Sequence, residues 1–314
     1  MSDILKVTGL VKYYDQFTLD HIDLSVPDGG ITGFIGSNGA GKTTTIKAIL
    51  GLISYDGGKI ELFGSDPAEP NVHAELNASA KFNTSTKLSK KEISAETKQR
   101  IGVVFDTLPF PADCQLNDIA AIGNAAYPHW DASYFKQLIH DFGLEKTKQI
   151  KSLSRGMGMK LQLAFALAHH PELLILDEAT AGLDPLARDE VLEMLRDFME
   201  EDHHGILISS HITSDLEKIA DYVVCVDEGK HIFTKEIDEI CDMAGIAHCR
   251  SAEVEELLQK EVFEPQSLRI IRSAYSTDIL VPDRMKLAQA MPSVACDRTN
   301  LEDYMRFMMK GETR

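Results

Sequence analysis

Gly36-Ser37-Asn38-Gly39-Ala40-Gly41-Lys42-Thr43 fits the pattern G-x-x-x-x-G-K-[ST] at every defined position. The stretch before it, Ile31-Thr32-Gly33-Phe34-Ile35, is short and apolar and predicts a buried strand. The residues after it, Lys42 to Leu50, read as a helix. That strand–loop–helix setting gives the pattern its meaning. Glycines let the backbone curl around an anion, and successive N–H groups with the positive helix end face the negative charge. Lys42 would reach the β- and γ-phosphates of a nucleotide, and the Thr43 hydroxyl would bind Mg²⁺. The candidate nucleotide contacts are Gly36, Ser37, Asn38, Gly39, Ala40, Gly41, Lys42, Thr43 and Thr44.

Further along, Leu173-Leu174-Ile175-Leu176 is an apolar strand ending in Asp177-Glu178. Adjacent residues at a strand end point in different directions, so the two acids can serve different tasks. Asp177 could address Mg²⁺ through water, and Glu178 could activate an attacking water as general base. Alone, the motif reads equally well as a buried strand capped by solvated acids; the phosphate loop shifts the balance toward chemistry.

The rest of the chain sets limits on this reading. It has 314 residues, 44% hydrophobic and 26% charged, enough for one large α/β domain and an appendage. The formal net charge of −17 opposes non-specific binding to nucleic acid, and solubility is its plain explanation. Five cysteines are scattered without a Cys-x-x-Cys, which fits a reducing cytoplasm. The start lacks a basic segment followed by an apolar one, and no run of about 20 apolar residues occurs. Any role at a membrane would pass through a partner.

Apolar stretches at Ile101 to Phe105, Gly205 to Ser209 and Tyr222 to Val226 predict further strands. Helical stretches separate them, which implies a wound, mostly parallel sheet. Residues 66–100 are polar and poor in large apolar side chains, and read as a solvated insertion or a short polar helix. From Asn117 to Leu144 the pattern is helical, with Ile119, Ile122, Leu138, Ile139 and Phe142 as candidate buried positions. Beyond Phe233 the pattern changes. Polar helices are expected near 235–245 and 251–260, then an alternating stretch from Leu268 to Val281 and helices at Arg284 to Ala290 and Leu301 to Met309. Asn300 could cap the last of these, with Glu302 and Asp303 in its first turn.

Between the two nucleotide motifs lies Leu153-Ser154-Arg155-Gly156-Met157, which resembles the ABC signature L-S-G-G-Q, with Arg155 and Met157 as departures. Ala181-Gly182-Leu183-Asp184 is similar to the family's D-loop, Ser209-Ser210-His211 to its switch-histidine element, and Lys12-Tyr13-Tyr14-Asp15 to its adenine-stacking loop. The resemblance covers residues 1 to about 230. Each element is weak alone, since His211 would otherwise read as a surface histidine, but their shared order is specific. It implies an α/β P-loop NTPase with a wound, mostly parallel sheet, an antiparallel β subdomain and a helical signature subdomain. The expected division is an ATP-binding domain at 1–233, with the helical subdomain near 107–165, and a small α/β accessory region at 234–314.

The resemblance also implies a mechanism. ABC subunits pair head to tail and enclose two ATP molecules. Ser154 and Gly156 would contact the partner's γ-phosphate, Asp184 would link the two sites, His211 would sense the γ-phosphate, and Tyr14 would stack on adenine. The implied partners are a multispanning membrane permease and a second ATP-binding subunit, identical or paralogous, which would hold the chain on the inner face of the cell membrane. Asp106 occupies the place of the family's Q-loop glutamine; it could bind Mg²⁺ or water but offers no amide donor. Arg155 could pair with phosphate or point into solvent. Val104-Phe105-Asp106, the Trp130 segment and the stretch from Ser154 to Lys160 resemble a subset of bacterial and archaeal exporters of peptides, antibiotics or ions. A non-transport ABC protein and an unrelated P-loop kinase or GTPase are the competing readings. The single phosphate loop and the acidic charge weigh against the first, and the signature and switch histidine against the second.

Overall fold

The computed structural model describes residues 2–65, 93–273 and 276–313. The chain opens with an antiparallel pair, β1 (Asp3–Tyr14) and β2 (Phe17–Pro27). β3 (Ile31–Ile35) follows and leads through the glycine-rich loop into α1 (Lys42–Ile49). β4 (Gly57–Leu62) returns to pair with β1. After α2 (Ala95–Gln99) and β5 (Ile101–Val104) comes a helical layer of α3 (Leu116–Ala126), α4 (Ala132–Asp141) and α5 (Arg155–Leu167). The alternation β6 (Leu173–Asp177), α6 (Pro185–Phe198), β7 (Gly205–Ser210), α7 (Thr213–Ile219), β8 (Tyr222–Asp227) completes the core, and β9 (Lys230–Glu236) folds back on β8.

These strands form one nine-stranded sheet in the order β4-β1-β2-β9-β8-β3-β7-β6-β5. The block from β8 to β5 is parallel. Its register decides where chemistry can happen. Ile35 pairs with Ser210 and Asp177 with Ser209. The phosphate loop, the two acids and His211 therefore leave the sheet along one edge, outside the carboxyl ends of the strands, where open α/β sheets place their ligands.

Strands β3, β6 and β7 are buried at every residue, so their side chains feed cores on both faces. Leu174, Leu176, Ile206 and Ile208 pack with Leu163, Val191 and Leu216 on one side. Leu173, Ile175, Leu207 and Phe34 pack with Ile46, Ile49 and Leu5 on the other. Each such side chain contributes about 1.5–3 kcal/mol through burial, which anchors the site edge on a rigid scaffold.

The helical run expected over 117–144 is two helices. Pro128 disfavours helical geometry at the preceding residue, and Tyr127 is extended (φ −121°, ψ 118°). Asp131 then restarts the chain by capping α4 through the N–H groups of Ser133 and Tyr134. The layer has its own core of Leu116, Ile119, Trp130, Phe135 and Leu161. Ile122, expected to be buried, is 38% exposed because that core fills the opposite face of α3.

Beyond β9 the expected helix over 235–245 is displaced: β9 runs to Glu236 and only a π turn, Glu239–Met243, follows. Next come β10 (Gly245–Cys249), α8 (Ser251–Gln259), β11 (Arg269–Arg272), β12 (Thr277–Val281), α9 (Arg284–Ala290), β13 (Ala295–Arg298) and α10 (Leu301–Lys310). They build a four-stranded antiparallel sheet ordered β11-β12-β10-β13. Asn300 caps α10, its side chain accepting from Asp303 N at 2.8 Å. Most of the polar insertion lies outside the described residues; its last part forms α2, capped by Ser94.

Candidate functional site

The phosphate loop owes its shape to close backbone approaches. A side chain at Gly36 would place Cβ 2.2 Å from the carbonyl oxygen of Val226, and Gly41 begins α1 from the left-handed region (φ 111°). Ser37 Oγ donates to Asp227 Oδ1 at 2.8 Å, and Gly229 N donates to Ala40 O at 3.1 Å, so the β8–β9 turn braces the loop from behind. Neither Asp227 nor Gly229 carries a signal in the sequence, because both act on the loop's backbone arrangement from far along the chain.

Lys42 is 5% exposed. Its Nζ donates to Gly36 O at 2.8 Å and to Ser37 O at 3.3 Å, and stands 3.2 Å from Glu178 Oε1. The other oxygen, Glu178 Oε2, accepts from His211 Nδ1 at 2.6 Å. Three residues remote in sequence thus meet at one carboxylate, between the loop and the tip of β7. Glu178 holds φ +55°, a region costly for a residue with a side chain; such strain of about 1–3 kcal/mol collects at functional sites.

Asp177, 3% exposed, accepts from Ser209 Oγ at 2.7 Å, and Ser209 Oγ also accepts from Glu178 N at 3.1 Å. Thr43 and Thr44 open α1 half-buried, while Asn38 and Gly39 are exposed at the loop's tip. Asp106 is exposed just past β5, on the same sheet edge, but no hydrogen bond or ion pair links it to Thr43, Asp177 or Glu178. The backbone before it is held firmly. Gln162 of α5 accepts from Phe105 N at 3.1 Å and donates to Phe105 O at 3.0 Å.

At the far end of β1, Tyr14 is 47% exposed, with Lys12 Nζ 5.6 Å from its ring centre and the Phe17 ring at 6.4 Å. Phe17 in turn lies against Gly41, where an added Cβ would meet it at 3.0 Å. The turn is tied down by Asp56, whose carboxylate accepts from Tyr13 N at 2.8 Å; that bond, helped by Lys12, holds the Asp56 carboxyl below its ordinary range.

The sequence model of the ABC transporter family matches residues 19–181. The chain is an ATP-binding subunit of that family. Bacitracin transport ATP-binding protein BcrA of Bacillus licheniformis is 36% identical over 233 residues, spanning 73% of this chain and 69% of the relative. Lantibiotic transport ATP-binding protein SrtF of Streptococcus pyogenes is 31% identical over 238 residues, 75% of this chain and 92% of the relative. The solved structure of an ATP binding subunit of an ABC transporter superposes with a TM-score of 0.61 at 26% identity, covering 76% of this chain and 91% of that one. Membership carries ATP binding and ATPase activity with it, and makes this an ABC-type ATPase.

The family's remaining elements fall on helix starts in this ABC subunit. Ser154 caps α5, accepting from Met157 N at 3.3 Å, which leaves its hydroxyl proton free to donate outward. Gly156 lies in the first turn of α5 beside α6; a Cβ there would touch Ala187 at 3.4 Å. Asp184 caps α6 by accepting from Ala187 N at 3.0 Å, with Pro185 at the first helical position. Arg155 is exposed, yet its side chain lies over the D-loop: a Cβ on Gly182 would meet Arg155 Nε at 3.2 Å. The signature and D-loop thus touch within one chain through the residue that departs from the family pattern.

Proposed function

We propose that this subunit is the ATP-driven motor of a membrane exporter, working as a head-to-tail pair with a second ATP-binding subunit against a separate multispanning permease. The observation that carries the reading is Glu178, held between Lys42 and His211 at the edge of the sheet. In this reading the phosphate loop and Lys42 bind the β- and γ-phosphates of ATP, and Tyr14 stacks on adenine. Glu178 takes a proton from the attacking water as general base. His211 positions that water and senses the γ-phosphate. The free donor of Ser154 and the helix start at Gly156 would serve the partner's γ-phosphate, and Asp184 would face the partner's site.

The oxygen donors Thr43 and Asp177 suit Mg²⁺, which is held by few protein ligands together with substrate phosphates. Among the described residues no group of acids, histidines or cysteines could hold a metal without the nucleotide. Bound there, Mg²⁺ would neutralise charge developing on the phosphates; Asp106, exposed on the same sheet edge, would be a further oxygen donor.

No helix among the described residues is long and apolar enough to cross a membrane, so transport requires the permease, which would hold this chain on the inner face of the cell membrane. The cited relatives are named for bacitracin and lantibiotic transport, which favours peptide antibiotics as cargo. We assign residues 1–233 to ATP binding and 234–314 to an accessory role.

Steady-state ATPase activity of the purified chain, compared with Glu178→Gln, tests the reading, with light scattering in ATP following dimerisation. Turnover lost in the variant, with an ATP-stabilised dimer, is the expected result. Unchanged turnover in Glu178→Gln would overturn the assignment of the base, and absence of any ATP-dependent dimer the head-to-tail arrangement.

A further inference from the structure

α6 starts at the D-loop and α7 starts just after His211, so both helices begin at the candidate site. Arg188, in the first turns of α6, reaches Asp215, in the first turn of α7: Nε to Oδ2 is 3.7 Å, and the aspartate side chain is 1% exposed. A second guanidinium nitrogen of Arg188 donates to Leu183 O at 3.5 Å, immediately before Asp184. The neighbour of Asp215, Leu216, packs on β3, where a Cβ at Gly33 would meet it at 3.0 Å. Asp189–Lys218 and the bond from Arg196 to Lys218 O join the same helices on their exposed side.

Asp215 is the buried member of the pair, while Arg188 is 26% exposed; the residues flanking Asp215 on α7, Leu216 and Ile219, belong to the same core as Leu183 and Leu192. Desolvating the Asp215 carboxylate there is costly, and apolar residues of similar volume stabilise such a site as well or better. What a charged pair adds is register, because the buried Asp215 carboxylate does not tolerate loss of its counter-ion. We infer that Arg188 and Asp215 are positioning residues, fixing the Leu183–Asp184 turn relative to His211 so that a shift of the switch histidine is carried to the D-loop. The inference rests on the roles proposed for His211 and Asp184.

The test is steady-state ATPase of the purified chain with Mg²⁺ over a range of ATP concentrations. The variants are Arg188→Met/Asp215→Leu, Lys218→Ala, His211→Ala and the triple Arg188→Met/Asp215→Leu/His211→Ala, each with a thermal melt. The apolar pair should melt at or above wild type yet lower kcat about tenfold, with KM within about twofold. Lys218→Ala should leave turnover unchanged. In the His211→Ala background the apolar pair should slow turnover by less than about twofold, because the lost effect already passes through His211. Wild-type turnover in the apolar pair, or an equal slowing with and without His211, would overturn the inference. Full turnover in His211→Ala alone would instead remove the switch assignment. If the apolar pair melts far below wild type, Arg188→Lys is read in its place: it keeps the charge but loses the two-pronged reach, and about threefold slower turnover at unchanged KM is expected. Wild-type kcat in that variant counts against the pair.

Discussion

Ser209 Oγ donates to Asp177 Oδ1 at 2.7 Å across the β6–β7 ladder, and the same oxygen accepts the backbone N–H of Glu178 at 3.1 Å. One buried hydroxyl orients both acids at the strand tip. Ser209→Ala leaves an Asp177 carboxylate oxygen short of a partner, while Glu178 N keeps its bond to Ser209 O at 3.2 Å, and should cost about 1–3 kcal/mol in urea unfolding. It should also lower kcat about tenfold and raise the Mg²⁺ concentration needed for half-maximal rate. A variant with wild-type turnover at limiting Mg²⁺ would show that Ser209 only fills space.

The phosphate loop separates two kinds of glycine. Gly36→Ala drives a Cβ to 2.2 Å from the Val226 carbonyl oxygen, so the loop must move off β8. Gly39 has φ +84° with nothing within 4 Å, so an alanine there meets backbone strain alone, about 1–2 kcal/mol. Titration with a fluorescent ATP analogue should show binding abolished in Gly36→Ala and weakened by less than about tenfold in Gly39→Ala. Equal losses would mean that strain, not contact, sets the loop.

Gln162 is 3% exposed and satisfies both backbone groups of Phe105 from the signature helix. Gln162→Leu keeps the volume and strands both groups, and should destabilise the chain by about 2–4 kcal/mol. Gln162→Glu keeps the acceptor but turns an anion toward the Phe105 carbonyl, so it should not restore stability. Chemical denaturation of the two variants decides this; a neutral Gln162→Leu would mean the amide bonds are dispensable.

Stability should depend on pH through His248. Its ring bridges Asp278 at 2.8 Å and Asp297 at 3.2 Å, and the Asp278 hydrogen bond holds its pKa above the ordinary value. A raised folded-state pKa stabilises fully below the unfolded value of about 6.5, and the contribution is lost as pH climbs through the raised value. Burial pushes His169 the other way, so the wild-type melt alone mixes opposed effects. The gap in melting temperature between wild type and His248→Gln should therefore be wider at pH 5.5 than at pH 9. A gap independent of pH would refute the clamp.

The sheet and the chemistry along its edge were legible because they repeat local patterns. The apolar runs at 31–35 and 173–176 have little choice but to be buried strands, and Gly36 to Thr43 states its own backbone geometry. What the sequence could not display is partnership at long range. Asp227 bracing Ser37 and Ser209 shared by two acids depend on which strands become neighbours. β10 and β13 carry no such pattern: Ile246-Ala247-His248 and Cys296-Asp297 are short and polar-interrupted, and become strands through their neighbours, β10 between β12 and β13 and β13 against β10. The break at Tyr127 is signalled by Pro128 alone, against an apolar periodicity that continues on either side of it.

The last helix serves two masters. Leu301 completes the apolar face beneath the nine-stranded sheet, with Leu301 N bonded to Glu217 at 2.7 Å, while Phe307 fills the underside of the small sheet. The two sheets therefore share a keystone that leaves the ribosome after both. Until it docks, each carries a bare apolar patch, so a newly made chain must be kept from sticking to its neighbours until α10 has been synthesised.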